Sequence, residues 1–529
     1  MSLLADTSLI DTLSHRVRNL SEEVVTTEQN MARHIFRAVD GTGNSLERPM
    51  SGVSHTVLPR ASGSSRRENA LGMSPTPRSV SNSVCAGQSL PSSLGLSDMT
   101  WVFGQFVDHM LVHTLTDSSQ TAAMTTPADD AFPGLTIPFH RSQHVLVGGL
   151  REQENELTSF LDASAVYGSD SVRSRALRRM DGSGKLLTGV SGGGETLLPL
   201  NVDSLPNAFP DGMDATSFFL AGDVRANENV ALLGLHTVLV REHNRLCDEM
   251  SSPESGYAEY AGKDQMLYQH ARRLLSGMLQ NIVFSEFLPA LGVHVPAYTG
   301  YRPEVDPSVS TEFATVGYRI GHTMIASSLR VSSLGGSATS LPLRDAFFNP
   351  GYVQEQGVDR LLHGSTRQLM QEVDGVLTED VRSFLFGPPT STMLHDLAAL
   401  NIQRGRDHEI AGYNALRAAY GLPLLSSFQD VPAPASVVSK LEQLYASVDD
   451  IDPWVGALVE THAAGSGVGP LVHAILVDQF TRCRDGDRFY FENDSALSVS
   501  EKALIRGTRL SDILSRNTGF EYAGDVFRV

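Results

Sequence analysis

The sequence predicts a mainly α-helical protein, one large domain with few short strands, and three observations carry that reading. Apolar residues recur at helical spacing over long stretches, near 99–116, 218–250, 268–291 and 312–331. Strand-like alternation is scarce, and no internal repeat divides the chain. Hydrophobic residues fill 41% of the 529 positions and charged residues 19%, the balance of a globular chain able to bury a sizeable core.

Charge removes several function classes. With 41 Lys and Arg against 60 Asp and Glu, the formal net charge is −19, which suits neither a polyanion partner nor nucleic acid. No apolar run is long enough for a membrane span. The opening residues lack a basic segment followed by an apolar core, so no signal peptide is expected, and the protein should be cytoplasmic or exported non-classically. Three cysteines, Cys85, Cys247 and Cys483, cannot build a disulfide framework and suit a reducing compartment.

Residues 1–35 read as a helical lead-in, and 36–529 as the main domain, whose first part, 36–98, is a Ser-, Gly-, Arg- and Pro-rich irregular arm. The organising element comes next, MTWVFGQFVDHMLVHTLT from Met99 to Thr116. Met99, Val102, Phe103, Phe106, Val107, Met110 and Leu111 form one apolar stripe, and Gln105, Asp108 and His109 share another side. Alone, that polar side is an ordinary solvated face. From Thr126 to Leu150 the prolines predict a loop.

In ELTSFLDASAVYGSD, the residues Thr158, Phe160, Asp162 and Ser164 offer oxygens to a hard cation such as calcium, or equally cap a helix. Residues 181–198 read as a surface loop whose GSGK lacks the flanking residues of a phosphate loop. The stretch Phe218 to Met250 predicts a long helix, apolar nearly all round at first, entered by the charges Arg225 and Glu228. Over 312–331 the spacing predicts another helix, with His322 one turn from Arg319. LHDLAALNIQRGRDH then groups Asn401, Arg404, Arg406, Asp407 and His408, and RDGDRFYFEN reads as a turn and short strand.

GQFVDH, LTSFLDASAVYGS, FLAGDVRANE, REHNRL, YRIGHT, LNIQRGRDH and RDGDRFYFEN occur in this order. Together they resemble the animal-type haem peroxidases of the peroxidase–cyclooxygenase superfamily, including bacterial and peroxinectin-like members. The resemblance implies a haem b cofactor, hydrogen peroxide as substrate and a halide, thiocyanate or aromatic compound as the small electron donor. His109 matches the distal histidine, Arg225 the distal arginine and Gln105 the distal glutamine. His322 matches the proximal iron ligand, and Asn401 the acceptor of its second ring proton. Arg319 and Arg404 match haem-propionate or proximal-side partners, and Asp108 and Glu228 the carboxylates that esterify haem methyl groups.

The chemistry asks for these groups. A neutral imidazole can take a proton from peroxide and return it to the departing oxygen, and a permanent guanidinium can stabilise the charge that builds there. Two departures stand out. Met110 occupies the place of an aspartate in the family's calcium site, which also uses Thr158, Phe160, Asp162 and Ser164, so weak calcium binding or none is expected. Asn229 stands where a methionine forms a sulfonium link to haem in myeloperoxidase, so that link is excluded. Two other readings compete. A fatty-acid dioxygenase of the same superfamily needs a tyrosine three residues before the proximal histidine, where this chain has Arg319, with Tyr318 one further back and expected to turn away on a helix. A haem-free adhesion or scaffold domain would not need the full polar set.

Overall fold

Apolar stripes drive the helices that frame the molecule, and the turns between them place the polar residues. The computed structural model describes residues 36–529 apart from 62, 211, 258–259, 334, 385–389 and 391–392; the lead-in expected over 1–35 lies outside them. Helix α1, Met99–Leu111, buries its entire predicted stripe at 0% exposure. Phe103 packs in a triangle with the rings of Phe287 and Phe527, its centroid 5.4 Å from each and theirs 5.8 Å apart. Truncating so enclosed an aromatic typically costs about 3–5 kcal/mol.

The helix stops at Leu111 rather than at Thr116. Val112 is already extended, and Thr116–Thr121 becomes strand β1, paired antiparallel with β2, His140–Ser142. The β-branched Val112, Thr114 and Thr116 favour that exit. The loop read over 126–150 also pairs with itself. Val145–Val147 and Leu150–Glu152 form a hairpin turning at Gly148 and Gly149, whose φ values of 60° and 85° are those a two-residue turn demands.

Helix α2, Val230–Ser251, starts where the Asn229 side chain accepts the backbone N–H of Leu232, and its first half is buried on all sides. Helix α3, Asp264–Ile282, packs along it. Helix α4, Leu397–Asp407, is capped by Asp396, which accepts from the N–H of Ala399, and α5 spans Pro470–Asp485.

The regular helix expected over 312–331 does not form. A wide turn, Phe313–Gly317, leads into a tight 3₁₀ turn, Arg319–Thr323, and then strand β3, Ser328–Val331, pairs antiparallel with β4, Thr339–Pro342. Gly317 explains the break. Its backbone presses on α5, where an added Cβ would lie 2.3 Å from Ile475 Cγ2. Helical propensity, already low with Gly317 and Gly321, yields to that contact. The strand expected within 484–493 is absent; those residues end α5 and then run through turns.

The arm is irregular but tied down. Arg37 pairs with Asp487 at 2.7 Å, Asn44 donates to the same carboxylate at 2.8 Å, and Arg78 pairs with Asp130 and Asp396 at 2.7 Å each. At the start of α1, Phe527 accepts through its carbonyl from Ser97 N (2.8 Å) and Thr100 Oγ1 (3.1 Å), while Ser97 Oγ donates to Val526 O (2.6 Å). The cysteines are all buried and unpaired. Among the described residues no helix is long and apolar enough to cross a membrane.

Candidate active site

One cavity of about 470 Å³ lies between α1 and the 3₁₀ turn. Gln105, Asp108, His109, Arg225 and Glu228 line one part of it; Arg319, His322, Asn401 and Arg404 line another. Every pocket residue picked out from the sequence, drawn from segments up to 299 positions apart, therefore meets in one space. Phe287, Ile320, Met324, Phe347 and Leu397 supply apolar wall. His236 and His243, the other histidines of the long helix, do not line it. His236 packs edge-on to Phe106, and His243 is held by Tyr167 Oη (2.8 Å) and the Gly184 carbonyl (3.0 Å).

His109 is 2% exposed. Burial, reinforced by Arg225 and opposed by Asp223, holds its pKa well below the usual imidazole value, so the ring is neutral. Its Nε2 lies 3.9 Å from Glu228 Oε2, and its Nδ1 lies 3.3 Å from Asp223 Oδ1. Arg225 is fixed by the same aspartate, donating from Nε (2.9 Å) to Oδ1 and from Nη2 (2.9 Å) to Oδ2, and it reaches Asp108 from Nη1 at 3.3 Å. Burial raises the pKa of Asp108 and pushes that of Glu228 up to about 7, with Arg225 pulling each back.

Gln105 is pinned at both ends of its amide. Nε2 donates to Glu228 Oε2 at 2.5 Å, and Oε1 accepts from Asn229 Nδ2 at 2.8 Å. Across the cavity, burial and the neighbouring Arg319 charge lower the His322 pKa to about 3, which leaves a neutral ring. The contact expected with Asn401 is present with its polarity reversed. Asn401 Oδ1 accepts from Arg319 Nη1 (3.1 Å), so its Nδ2 faces His322 Nδ1 at 2.7 Å. Arginine has only N–H to offer, and that turns the amide. Arg404 is committed on one side to Ser142 Oγ (2.7 Å) and Asp407 (3.1 Å) and lies over the Phe139 ring; burial and Arg319 lower its pKa to about 10.

The reason for placing Tyr318 away from the pocket falls with the helix that motivated it. The tight turn brings Tyr318 into the cavity wall, stacked on Phe313 with ring centroids 4.8 Å apart. The oxygen-bearing run stands apart from the cavity. Asp162 accepts from Thr158 Oγ1 (2.8 Å) and from Ser164 N (2.9 Å), and Ser164 Oγ donates to the Met110 carbonyl (3.1 Å). Asp223 is the residue that sequence reasoning passed over. It lies in FLAGDVRANE two positions before Arg225, and an acid so close to a buried arginine was the available signal.

A family model described as animal haem peroxidase matches residues 36–526. Drosophila melanogaster peroxidasin is 32% identical over 90% of this chain, although the chain spans only 35% of that protein. Peroxinectin A of Dictyostelium discoideum is 30% identical, with 91% of this chain and 93% of the relative covered. Lactoperoxidase of Mesocricetus auratus is 34% identical over 84% of this chain and 68% of its own length. Among solved structures, peroxidase A from Dictyostelium discoideum superposes with a TM-score of 0.85 at 30% identity, covering 93% of this chain and 99% of that one. A fatty acid α-dioxygenase from Oryza sativa superposes at 0.77 with 19% identity, covering 93% of this chain and 87% of that one, a likeness of fold alone.

Proposed function

Because the chain belongs to the animal haem peroxidases, we propose that its cavity holds haem b between His109 and His322 and reduces hydrogen peroxide at the expense of a small donor. The observation that carries this reading is the meeting of His109, Arg225 and His322 in one space, with a neutral base and a fixed cation facing a neutral ligand. The residues present fit the group. Apolar side chains flank a slot with His322 in its wall, and Arg319 has no carboxylate partner among its hydrogen bonds to Ala314 O and Asn401.

His322 would hold the iron, and Arg319 would meet a propionate, with Arg404 beside it. With a propionate as Arg319's partner, the Asn401 oxygen would be free to accept the Nδ1 proton, which would leave the Nε2 lone pair of His322 to hold the iron. Asp108 and Glu228 would carry the ester links to haem methyl groups. Bound haem would supply the two electrons that peroxide cleavage takes up and would recover them from the donor. His109 Nε2 takes a proton from one peroxide oxygen and returns it to the other as the O–O bond breaks, and Arg225 stabilises the charge on the departing oxygen. Gln105 and Asn229 fix the polar rim against which a halide, thiocyanate or small aromatic donor is oxidised. With Met110 in place of a carboxylate and Asp162 already satisfied by Thr158 and Ser164, calcium binding is weak or absent.

The test is reconstitution with haem, followed by rapid mixing with peroxide and separate donors. A Soret band at one haem per chain and donor oxidation that depends on peroxide support the reading. Oxygen uptake with a polyunsaturated fatty acid, and none of the peroxide-dependent oxidation, would place the chain with the dioxygenases instead.

A further inference from the structure

We propose that Asp223 is the positioning residue of the peroxide reaction, one carboxylate that sets both the proton-bearing nitrogen of His109 and the aim of Arg225. The inference rests on the peroxidase reading above and adds to it a residue outside the pocket lining.

Asp223 is 2% exposed and sits in the turn just before α2. Its seat is rigid. The preceding Gly222 lies so close to the Ser164–Tyr167 helix that an added Cβ would be 2.4 Å from Ser164 O and 2.6 Å from Ala165 O, and Asp223 N donates to Ala165 O at 3.2 Å. From that seat Oδ1 accepts from Arg225 N (2.8 Å) and Nε (2.9 Å), and Oδ2 from Nη2 (2.9 Å). This is the two-pronged geometry that guanidinium and carboxylate favour, and it removes the arginine's freedom to swing. Arg225 holds the acid ionised despite its burial.

The same Oδ1 lies 3.3 Å from His109 Nδ1 as a charge contact, and that buried nitrogen has no hydrogen-bond partner among the described residues, so Asp223 is the group placed to meet its proton. A carboxylate can only accept, so Nδ1 keeps the proton and the lone pair falls on Nε2, the nitrogen 3.9 Å from Glu228 in the cavity. The logic is that of a base oriented by a third group. The other charged or titratable groups bearing on His109 cannot do this. Arg225 and His113 oppose its protonation, His236 on α2 does likewise, and Glu228 faces the other nitrogen. Asp108 is engaged by Arg225.

Cyanide binding isolates the base from the arginine. Hydrogen cyanide must give its proton to His109 Nε2 before cyanide can ligate the iron, and no O–O bond breaks. In haem-loaded Asp223→Asn, haem content should match wild type, the cyanide association rate should fall at least about tenfold, and the acid limb of its pH profile should move to lower pH. The rate of reaction with peroxide should fall further, because Arg225 loses its fork as well. Arg225→Ala should slow peroxide much more than cyanide. An Asp223→Asn protein with an unchanged cyanide rate and profile overturns the proposal. Should that variant not fold, wild-type protein labelled with ¹⁵N in its histidine rings answers the same question: His109 protonated on Nδ1 from pH 5 to 8 supports the assignment, and protonation on Nε2 refutes it. A wild-type protein that binds haem and cyanide but does not reduce peroxide would sink the functional reading while leaving the His109–Asp223 relationship testable on its own.

Discussion

Asn229 fixes the direction of Gln105. Its Oδ1 accepts the N–H of Leu232 at 2.8 Å, which leaves only N–H to offer, and Nδ2 donates to Gln105 Oε1 at 2.8 Å. Gln105 must then present its own N–H to Glu228. Backbone polarity at the start of α2 is thus passed through two amides to a carboxylate in the cavity.

Asn229→Asp should reverse that chain. Aspartate caps a helix as well as asparagine, so thermal stability should change little, whereas Asn229→Ala should lose about 1 kcal/mol. Facing an acceptor, Gln105 turns its amide over and points oxygen at Glu228. The Glu228 midpoint, read from a carboxyl infrared band that Glu228→Gln removes, should rise above about 7. A midpoint at or below the wild-type value would show that Asn229 does not set the polarity.

His109→Ala and His322→Ala should fail differently. The first removes proton transfer and leaves the iron ligand, so haem content holds while reaction with peroxide slows about a hundred- to ten-thousand-fold. The second removes the protein–iron bond and should yield protein with little or loosely held haem. Haem per chain and stopped-flow absorbance in the Soret region separate the two. Equal haem loss in both variants would refute the division of roles.

Glu228 gives the haem-free protein a pH signature. Burial raises its pKa from about 4.5 to about 7, so the folded form keeps a proton that the unfolded chain releases. Bound protons are then more numerous in the native state between those values, and stability falls as pH rises through the window. Glu228→Gln lacks this slope. Its thermal midpoint should gain on wild type from pH 4.5 to 7 and hold a constant lead above. A gap that does not vary with pH would mean Glu228 ionises normally.

Calcium should be absent or weakly held. A hard cation takes six to eight oxygens at about 2.3–2.6 Å, and the Met110 thioether is a poor substitute for one of them. Elemental analysis after dialysis against a chelator should find no stoichiometric calcium, and Met110→Asp should raise affinity by supplying the missing charge. Tightly retained calcium in the wild-type protein would show the site surviving without that carboxylate.

The apolar stripe of α1 and the buried first half of α2 were legible because periodicity and burial are the same information. The segment bearing His322 was not. Phe313, Val316, Ile320 and Met324 are spaced for a helix, yet Gly317 against Ile475 breaks it, a contact invisible to local pattern. The exit of α1 into β1 likewise depends on pairing with His140–Ser142. Within the site, residue types and motif order identified what lines the cavity, whereas hydrogen-bond direction could not be read. The Asn401 amide faces His322 with nitrogen because Arg319 claims its oxygen, and Asp223, two positions from Arg225, also meets His109, which only the fold brings near.

The anchoring of α1 by Val526 and Phe527 has a consequence for the order of assembly. Ser97 Oγ and Val526 O are 429 positions apart in the chain, and Phe527 also closes the aromatic packing around Phe103. Contacts of such sequence separation form late, since the loop they close must first lose its entropy. A nascent chain can therefore complete the turn bearing His322 and α4 well before the helix bearing His109 is secured at its start. Competence to handle peroxide should appear only with the last long-range closure, and a chain stalled short of residue 526 would carry α1 unanchored.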